Sequence, residues 1–483
     1  MVEIIPWEVF EEKYAETFEG STTGNPAKSA RMAIGTLVAK ERYGFSDEDI
    51  LEEIQMNPYL QYFIGLPEFT HEAPFDQSVI TRFRKRVTSE ILSEINDIVI
   101  GRKKADAGSG EPPQEGSSGG EGNPIGESEG IDEENKENNE GTIILDATCA
   151  EQNIRYPTDI SLLNEAREKL EEMIDTAHAA GLCEGTKPRT YRMQARRDYL
   201  RFARNRKPST KLLRKGLRKQ LGYVRRDLSY LDRILGQHPD ALGERHMAYL
   251  STIRTLFEQQ KEMYDKRTHS VANRIVSLHQ PHVRPIVRGK SSAPVEFGAK
   301  IEASLVNGYG RIEKLSWDAF DEGGTLQDSV EQFKADTGRY PARILADKKF
   351  RTRDNLAYCK KHGIRLSGPK LGRPPKDTEL YREQCRLERE ESGERSAIEC
   401  FFGVGKRRYS LGCIMTRLQH TSEVEIHVAF LTMNLFRRLR LLLVYFFPRL
   451  PGWFYRLFCQ PRMLKWECFG SAHPFLLCCS VEQ

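Results

Sequence analysis

The stretch GTIILDAT, residues 141–148, is a short apolar run that contains one acid, Asp146. A run of this length, rich in Ile and Leu, is typical of a buried strand, and Asp146 falls at its C-terminal end. An unpaired charge among such neighbours is costly, so this carboxylate needs a partner that offsets the cost. The stretch therefore predicts a central strand and a candidate functional residue at its end.

Two further acids have similarly apolar neighbours. Asp347 ends the strand pattern of ARILADKKF (342–350), and Glu399 lies in SAIECFF, within a late helical pattern. Carboxylates that meet at strand ends commonly hold divalent cations, and Mg²⁺ favours oxygen ligands. Two such ions about 3.5–4 Å apart would activate an attacking water or 3′-hydroxyl and stabilise the leaving oxygen of a phosphodiester. Each acid also has an ordinary explanation: Asp146 as the cap of the turn at ATCA, Asp347 as the N-cap of a helix at RTRDN, and Glu399 as the partner of Arg395.

The segments after the first strand change repeatedly between helical and strand patterns. Residues 160 to about 270 have helical periodicity and separate the first strand from PVEFGAKIEASLVN (294–307). The turn NGYG joins that alternating run to RIEKLSW (311–317), which predicts a β-hairpin. A helix, a strand that ends in Asp347, a second helix, a short strand and the late helix complete the order. We therefore expect an α/β domain at residues 142–440, with a mixed sheet and a helical insertion at about 160–270.

Residues 1–102 are predicted to form a helical domain of their own, because residues 103–141 are acidic and contain almost no large apolar side chains. Such a stretch cannot bury enough surface to offset its ordering entropy, so we expect a disordered linker. Three helices are predicted before it, and the last, residues 76–95, is basic. A helix-turn-helix-like module whose basic helix approaches DNA fits this pattern, and a small bundle with a solvated basic face fits it equally well. The candidate DNA contacts on this helix are Arg82, Arg84 and Lys85.

The predicted insertion contains a dense block of positive charge. Residues 189–226 hold fifteen Lys and Arg side chains against a single Asp, with aromatic residues interleaved. Such a field destabilises the folded chain unless a polyanion neutralises it, and nucleic-acid phosphate is the usual one. An exposed helix pair is the alternative, although such surfaces normally alternate in sign. Four of these cations are candidate DNA contacts: Arg196, Arg197, Arg201 and Arg204.

The bulk properties exclude several other classes of protein. The net charge of the 483 residues is only +4, and the ten cysteines form no CxxC pair, which argues against a zinc ribbon or a disulfide framework. No signal peptide is recognisable at the N-terminus, so a reducing cytoplasm is expected. In the tail, residues 441–483, the longest apolar run has seven residues, well short of the ~20 that span a bilayer. His279, His282 and His427 are expected to be structural or surface residues.

Three of these stretches resemble segments of a known family. LDATCAEQNIRYPTDISLLNEAREKLE, ILADKKFRTRDNLAYCKKHGIRLSGPKLGRP and RSAIECFFGVGKRRYSLG are similar, in this order, to the catalytic segments of bacterial insertion-sequence transposases of the DDE type. NPYLQYFIGLPEF…PFDQSVITRFRKRV is similar to the amino-terminal domain of the insertion-sequence-five group. Arg395, Glu399 and Lys406 match the spacing of the so-called YREK signature. Ser392 stands where the tyrosine of that signature would fall, so a tyrosine contact is absent there.

The resemblance implies an RNase H-like fold in which Asp146, Asp347 and Glu399 bind two Mg²⁺ ions, with Mn²⁺ as a substitute. It implies cleavage at the ends of an insertion sequence and strand transfer into target DNA. Arg395 and Lys406 would contact DNA phosphates from the helical stripe that carries Glu399. The implied partners are double-stranded DNA, as terminal inverted repeats and target, and a second copy of the chain, in the bacterial cytoplasm at the nucleoid.

Two other functions stay open at the level of the sequence. One is an RNase H-like nuclease that cleaves without strand transfer. The other is a DNA-binding protein without catalysis, derived from an inactive or repurposed copy of an element. The presence of all three acids favours catalysis, whereas the unusual tail leaves room for the non-catalytic protein.

Overall fold

The computed structural model describes residues 2–18, 27–102, 139–182, 186–287, 295–368 and 378–446. The predicted linker, except for residues 139–141, and the tail beyond residue 446 lie outside these ranges. The chain divides into two compact units, Met1–Leu435 and Phe436–Gln483. All elements below belong to the first unit, except for the end of the last helix. The predicted domain boundaries stay a prediction.

Within residues 2–18 and 27–102, which the structure describes, six helices form the N-terminal part of the first unit. They are α1 (Trp7–Glu16), α2 (Ala30–Tyr43), α3 (Asp49–Met56), α4 (Pro58–Ile64), α5 (Gln77–Arg86) and α6 (Ser89–Val99). Helix α2 ends at Gly44, which has a φ of 69° and closes the helix in the left-handed conformation. Before α3, the side chains of Ser46 and Asp49 each accept a 3.1 Å hydrogen bond from the backbone N–H of the other, and the N-cap of the helix itself is Glu48.

The single basic helix predicted at residues 76–95 is wrong, because the structure divides it into α5 and α6. Val87 and Thr88 have extended backbones, and the Thr88 hydroxyl accepts a hydrogen bond from the N–H of Ile91 as the N-cap of α6. A threonine at this position offers the backbone an alternative to a continuous helix. The three-helix prediction therefore gave too few helices for this part of the chain.

A mixed six-stranded sheet forms the centre of the part of the first unit that follows the N-terminal helices, and a mixed sheet was predicted there. Its strands are β1 (Thr142–Glu151), β2 (Arg284–Val287), β3 (Val295–Val306), β4 (Tyr309–Ser316), β5 (Arg343–Ala346) and β6 (Arg365–Leu366). The order is β2-β3-β1-β5-β6, and β4 also pairs with β3. Strand β1 runs antiparallel to β3 and parallel to β5. The predicted hairpin is confirmed, with Asn307 and Gly308 at φ values of 52° and 76° in its two-residue turn.

Strand β1 is longer than predicted, and Asp146 lies inside it rather than at its end. Strand β3 pairs with β1 along Ile144–Glu151, so the ladder on that side continues past the acid. On the other side, the ladder with β5 stops at the pair Leu145 and Ala346. Asp146 therefore marks the end of the parallel ladder, although the strand itself continues for five residues beyond it.

The predicted insertion forms four helices between β1 and β2. They are α7 (Asp159–Ala179), α8 (Arg192–Ala203), α9 (Thr210–Gln237) and α10 (Glu244–Lys266). Apolar side chains from α7, α9 and α10, such as Leu170, Val224 and Ile253, form a core that is separate from the sheet. Helix α9 is anchored in this core, and the basic helix α8 packs against α9 and α7.

Four further helices pack around the sheet. They are α11 (Leu326–Thr337), α12 (Arg353–Lys361), α13 (Thr378–Arg408) and α14 (Gln419–Phe446). Helices α11 and α12 bury one face of β1 and β5. Ile398 and Phe402 of α13 belong to the core on the opposite face. Within the described ranges, no helix is long and apolar enough to cross a membrane.

Helix α14 contributes to two cores at once. Val424, Val428 and Leu431 pack among the N-terminal helices, whereas Ile426 and Phe430 pack against the sheet. The spacing of these residues places the two sets on different faces of one helix. Helix α14 therefore packs against the N-terminal helices on one face and against the sheet on another.

Candidate active site

Asp146 and Asp347 stand at the same level of the sheet. Leu145 is paired with Ala346 across the parallel ladder, and the two acids are the next residues along each chain. Leu145 and Ala346 are buried beneath α11 and α12. Because side chains alternate along an extended chain, both acids are directed to the opposite face, where α13 packs.

Glu399 reaches the same region from helix α13. The Arg395 guanidinium lies 3.1 Å from Oε1 of Glu399 and 3.9 Å from Oδ2 of Asp146. One cation thus contacts a carboxylate from the helix and another from the strand. The side chain of Asp146 is 19% exposed and that of Glu399 is 56% exposed, so solvent reaches the acid on the helix more freely than the acid on the strand.

Asp347, the third predicted acid, lies near the same arginine, Arg395. Its Oδ1 accepts a 2.7 Å hydrogen bond from the N–H of Lys348 and caps a 3₁₀ turn, Lys348–Phe350. Asp347 and Arg395 line the same cavity. Asp347 therefore caps this turn through one oxygen and does not cap helix α12, whose N-cap is Thr352.

The residue types suit a hard divalent cation, because Asp146, Asp347 and Glu399 supply carboxylate oxygens from the ends of two ladder strands and from a helix on the same face of the sheet. In the described ranges, however, no three acidic, His or Cys side chains are close enough as placed to hold a metal ion. Asp146 and Glu399 share Arg395 as a cationic neighbour.

Two comparisons with known proteins bear on this site. Residues 344–436 match the family described as "Transposase DDE domain", and residues 1–86 match the family described as "Transposase domain (DUF772)". The chain therefore contains two regions that match transposase domains, one of them a DDE domain. The first match includes Asp347, Arg395 and Glu399, whereas Asp146 lies outside it. The insertion-sequence-five group stays a prediction.

A relative of this chain occurs in Rhizobium meliloti, under the name "Uncharacterized protein ORF8 in nfe locus". It is 37% identical over 92 residues, which are 19% of this chain and 44% of the relative. The chain therefore matches less than half the length of that protein. No solved structure matches this chain.

The predicted DNA contacts on α13 are far apart. Lys406 is eleven residues beyond Arg395 on the same helix, a rise of about 16 Å. Arg395 can therefore act at the acids, whereas Lys406, on the same stripe, is three turns away. Ser392 is exposed and lines the cavity beside Asp347, so the position of the missing tyrosine faces the site.

The three predicted DNA contacts on α5 have different surroundings. Arg84 is buried and forms a two-pronged ion pair with Asp47, one arm of which measures 2.8 Å. Although burial raises the pKa of the Asp47 carboxyl, the hydrogen bonds and charge of Arg84 hold it below its ordinary value. Arg82 and Lys85 are exposed. This geometry gives Arg84 a structural task and leaves Arg82 and Lys85 as the cations that face solvent.

The four predicted contacts on the insertion are all exposed. Arg196, Arg197 and Arg201 lie on α8, and Arg204 follows its last turn. Helix α9 adds a stripe of exposed cations that the sequence interpretation did not single out. Its members recur at intervals of three or four residues or a multiple: Lys211, Lys215, Arg218 and Arg225. Helical spacing within the basic block was the signal that could have identified this stripe.

The three histidines lie outside the acidic site. His279 is exposed and contacts Glu165 at 2.9 Å and the Tyr249 hydroxyl at 2.7 Å. His282 stacks edge-on against Trp317, and burial lowers its pKa to about 4. Burial lowers the pKa of His427 to about 4 as well. These surroundings agree with the structural or surface roles that were expected.

Proposed function

We propose that this transposase cuts DNA at the ends of an insertion sequence and joins the freed 3′-hydroxyl to target DNA. Asp146, Asp347 and Glu399 hold two divalent cations, Mg²⁺ or Mn²⁺, on an RNase H-like fold. The observation that supports this best is the position of Asp146 and Asp347 at one level and on one face of a parallel ladder, beneath the helix that carries Glu399.

When bound, the cations would make the attacking oxygen more nucleophilic and stabilise the leaving oxygen of the phosphodiester. The chain contributes the positions of the reacting groups. Arg395 presents a planar guanidinium that suits a phosphate, and the exposed cations of α8 bind the DNA backbone beside the site. Phosphate contacts carry no sequence information, so Arg82 and Lys85 of the N-terminal helices are proposed to share recognition of the terminal repeats.

The active form is proposed to be a homodimer that brings two element ends together, at the nucleoid in the bacterial cytoplasm. The support is the presence of both transposase domains in one chain and the distribution of exposed cations on α5 and α8. Gel filtration and crosslinking with and without end DNA test this directly. A complex that contains one protein chain for two DNA ends contradicts it.

The Asp347→Ala variant tests the catalytic assignment. It removes a proposed cation ligand, so Mg²⁺-dependent cleavage of end DNA is expected to fall to background while the Kd for that DNA changes little. Asp354→Ala is the matched control, because it removes an exposed acid seven residues away on α12. Normal cleavage by Asp347→Ala rules out the assignment. Joined products on end DNA separate a transposase from a nuclease of the same fold.

A further inference from the structure

A cavity of about 220 Å³ lies beside Asp347, between the ends of β5 and β6 and helix α13. It is smaller than the ~300–1,000 Å³ of most small-molecule pockets, so it suits a compact group. Its lining contains three cations, Lys348, Arg351 and Arg395, and the hydroxyl-bearing residues Ser367 and Ser392. This composition is that of an anion site next to a proposed metal ligand.

Arg351 is held in place before any ligand binds. Its Nη1 donates hydrogen bonds of 2.9 Å and 2.5 Å to the carbonyls of Leu366 and Ser367, at the end of β6. The adjacent Gly368 has a φ of 100°, and a Cβ there would approach Cδ of Arg351 to 3.0 Å. A fixed guanidinium loses little side-chain entropy on binding a phosphate, which favours a specific contact.

Lys348 and Lys349 are neighbours in sequence but have different surroundings. Lys348 is exposed and lines the cavity. The Lys349 amine lies 3.4 Å from Oε1 of Glu322, and Lys349 is not among the residues that line the cavity. The chain therefore supplies a matched pair of lysines, of which one borders the cavity and the other does not.

The acids of the cavity do not cancel its cations. Glu391 is buried and paired with Arg365 at 2.5 Å. Asp347 is assigned to the metal site, so its charge is offset there. Arg395 is in turn paired with Glu399, so Glu388 is the one remaining acid of the described lining, against the two cations Lys348 and Arg351.

We propose that this cavity binds a phosphate of the DNA strand beside the cleavage position, with Arg351 and Lys348 as its contacts. The inference rests on the proposed function, because it needs a DNA strand at Asp347. It assigns to both residues the task of positioning the strand, and it places Arg395 between the phosphate and the acids.

The first test measures the Kd for end DNA over a range of salt concentrations. Each lost phosphate contact lowers the slope of log Kd against log salt by about one. Lys348→Gln is expected to show this change, and Lys349→Gln, with the same loss of charge, is expected to keep the wild-type slope. Equal slopes for the two variants overturn the proposal.

The second test replaces single phosphates near the cut by neutral methylphosphonates. In the wild type, one position is expected to weaken binding about tenfold, as for the loss of one charge-assisted contact. Arg351→Gln is expected to lose sensitivity at that position only. The same profile of sensitivity in both proteins overturns the proposal. Because Arg351 also anchors β6, the thermal unfolding of the variant is measured in parallel, and Lys348→Gln is scanned as a second variant that anchors nothing.

Asp347→Ala distinguishes the two proposals. If this variant cuts end DNA, the proposed function fails. If it does not cut and the lysine and methylphosphonate tests show no difference, only the phosphate site fails.

Discussion

Arg395 has the most consequential position of any single side chain in the site. It contacts Asp146 and Glu399 and lines the cavity beside Asp347. A cation between two carboxylates lowers their mutual repulsion, but it also competes with any other cation for the same oxygens. The affinity of the acids for a metal ion therefore depends on the strength of these ion pairs.

Replacing Arg395 is expected to tighten metal binding in the absence of DNA. A partly exposed ion pair contributes up to about 1 kcal/mol, so Arg395→Gln is expected to lower the Kd for Mn²⁺ about fivefold. Isothermal titration calorimetry measures this without any cleavage assay. Lys406→Gln removes the same charge three turns away and is expected to leave the Kd unchanged. A weaker affinity in Arg395→Gln contradicts the competition.

The sequence was enough to predict that Asp146 and Asp347 lie close together, but it was not enough to predict which polar residues surround them. Two apolar runs that each end in an acid predict two strands with acids near one edge, and the parallel ladder puts Asp146 and Asp347 at one level. The cavity beside them depends on where β6 and α13 meet, which is a contact between distant segments. The run DKKFRTR after Asp347 contained the signal, but charge alone does not distinguish Lys348 from Lys349.

At the scale of elements, local sequence patterns were enough to predict most helices and the hairpin. The length of β1 was not predictable in this way, because it depends on pairing with a distant strand. Gly44 and Asn307 specify their turns through the left-handed backbone that they adopt. The length of β1 depends on its partner β3, so no pattern within GTIILDAT could place Asp146 inside the strand. The division between α5 and α6 depends on Thr88, which an uninterrupted apolar periodicity conceals.

Helix α9 has a buried acid that makes the insertion sensitive to pH. Asp227 is fully buried, and neither of its carboxylate oxygens has a hydrogen-bond partner among the described atoms. Burial, with the nearby charge of Glu171, raises the pKa of Asp227 to about 7. The folded chain therefore keeps a proton that the unfolded chain releases near pH 4, so stability falls as pH rises from about 4 to about 7.

Asp227→Asn removes this titration. The variant is expected to have a midpoint of thermal unfolding a few degrees above the wild type at pH 8, and a similar midpoint at pH 4. Differential scanning calorimetry across this range measures it. Asp232→Asn is the control on the same helix, because Asp232 is exposed and paired with Arg254. A constant difference at all pH values shows that packing, and not the buried charge, is responsible.

At the scale of the whole molecule, the N-terminal helices are joined to the sheet by a buried ionic network. Arg311 of β4 contacts Asp97 at 2.8 Å and Glu313 at 3.1 Å, and Arg102 contacts Asp336 at 3.1 Å. Burial raises the pKa of Glu313, although both arginines oppose the rise. Three acids thus share two cations, and the pairs cross from the N-terminal helices to the sheet.

The unequal charges make two substitutions differ in cost. Arg311→Met leaves three buried acids with one arginine and is expected to lower the free energy of unfolding by about 3 kcal/mol or more. Asp97→Asn leaves two acids with two arginines and is expected to cost less. Denaturant titration compares the two variants. Equal costs contradict an explanation based on the balance of charge.

Helix α14 determines when the cores of the chain can fold during synthesis. Synthesis proceeds from the N-terminus, and domains generally fold as they leave the ribosome. Here the N-terminal helices are complete in sequence by residue 102, yet part of their core comes from Val424, Val428 and Leu431. The core on one face of the sheet also includes Ile426 and Phe430 of α14, so it cannot close before this helix has been synthesised. A nascent chain that stops before residue 419 therefore has neither core closed, so interrupted translation is expected to produce fragments for proteolysis rather than a DNA-binding competitor of the full-length enzyme.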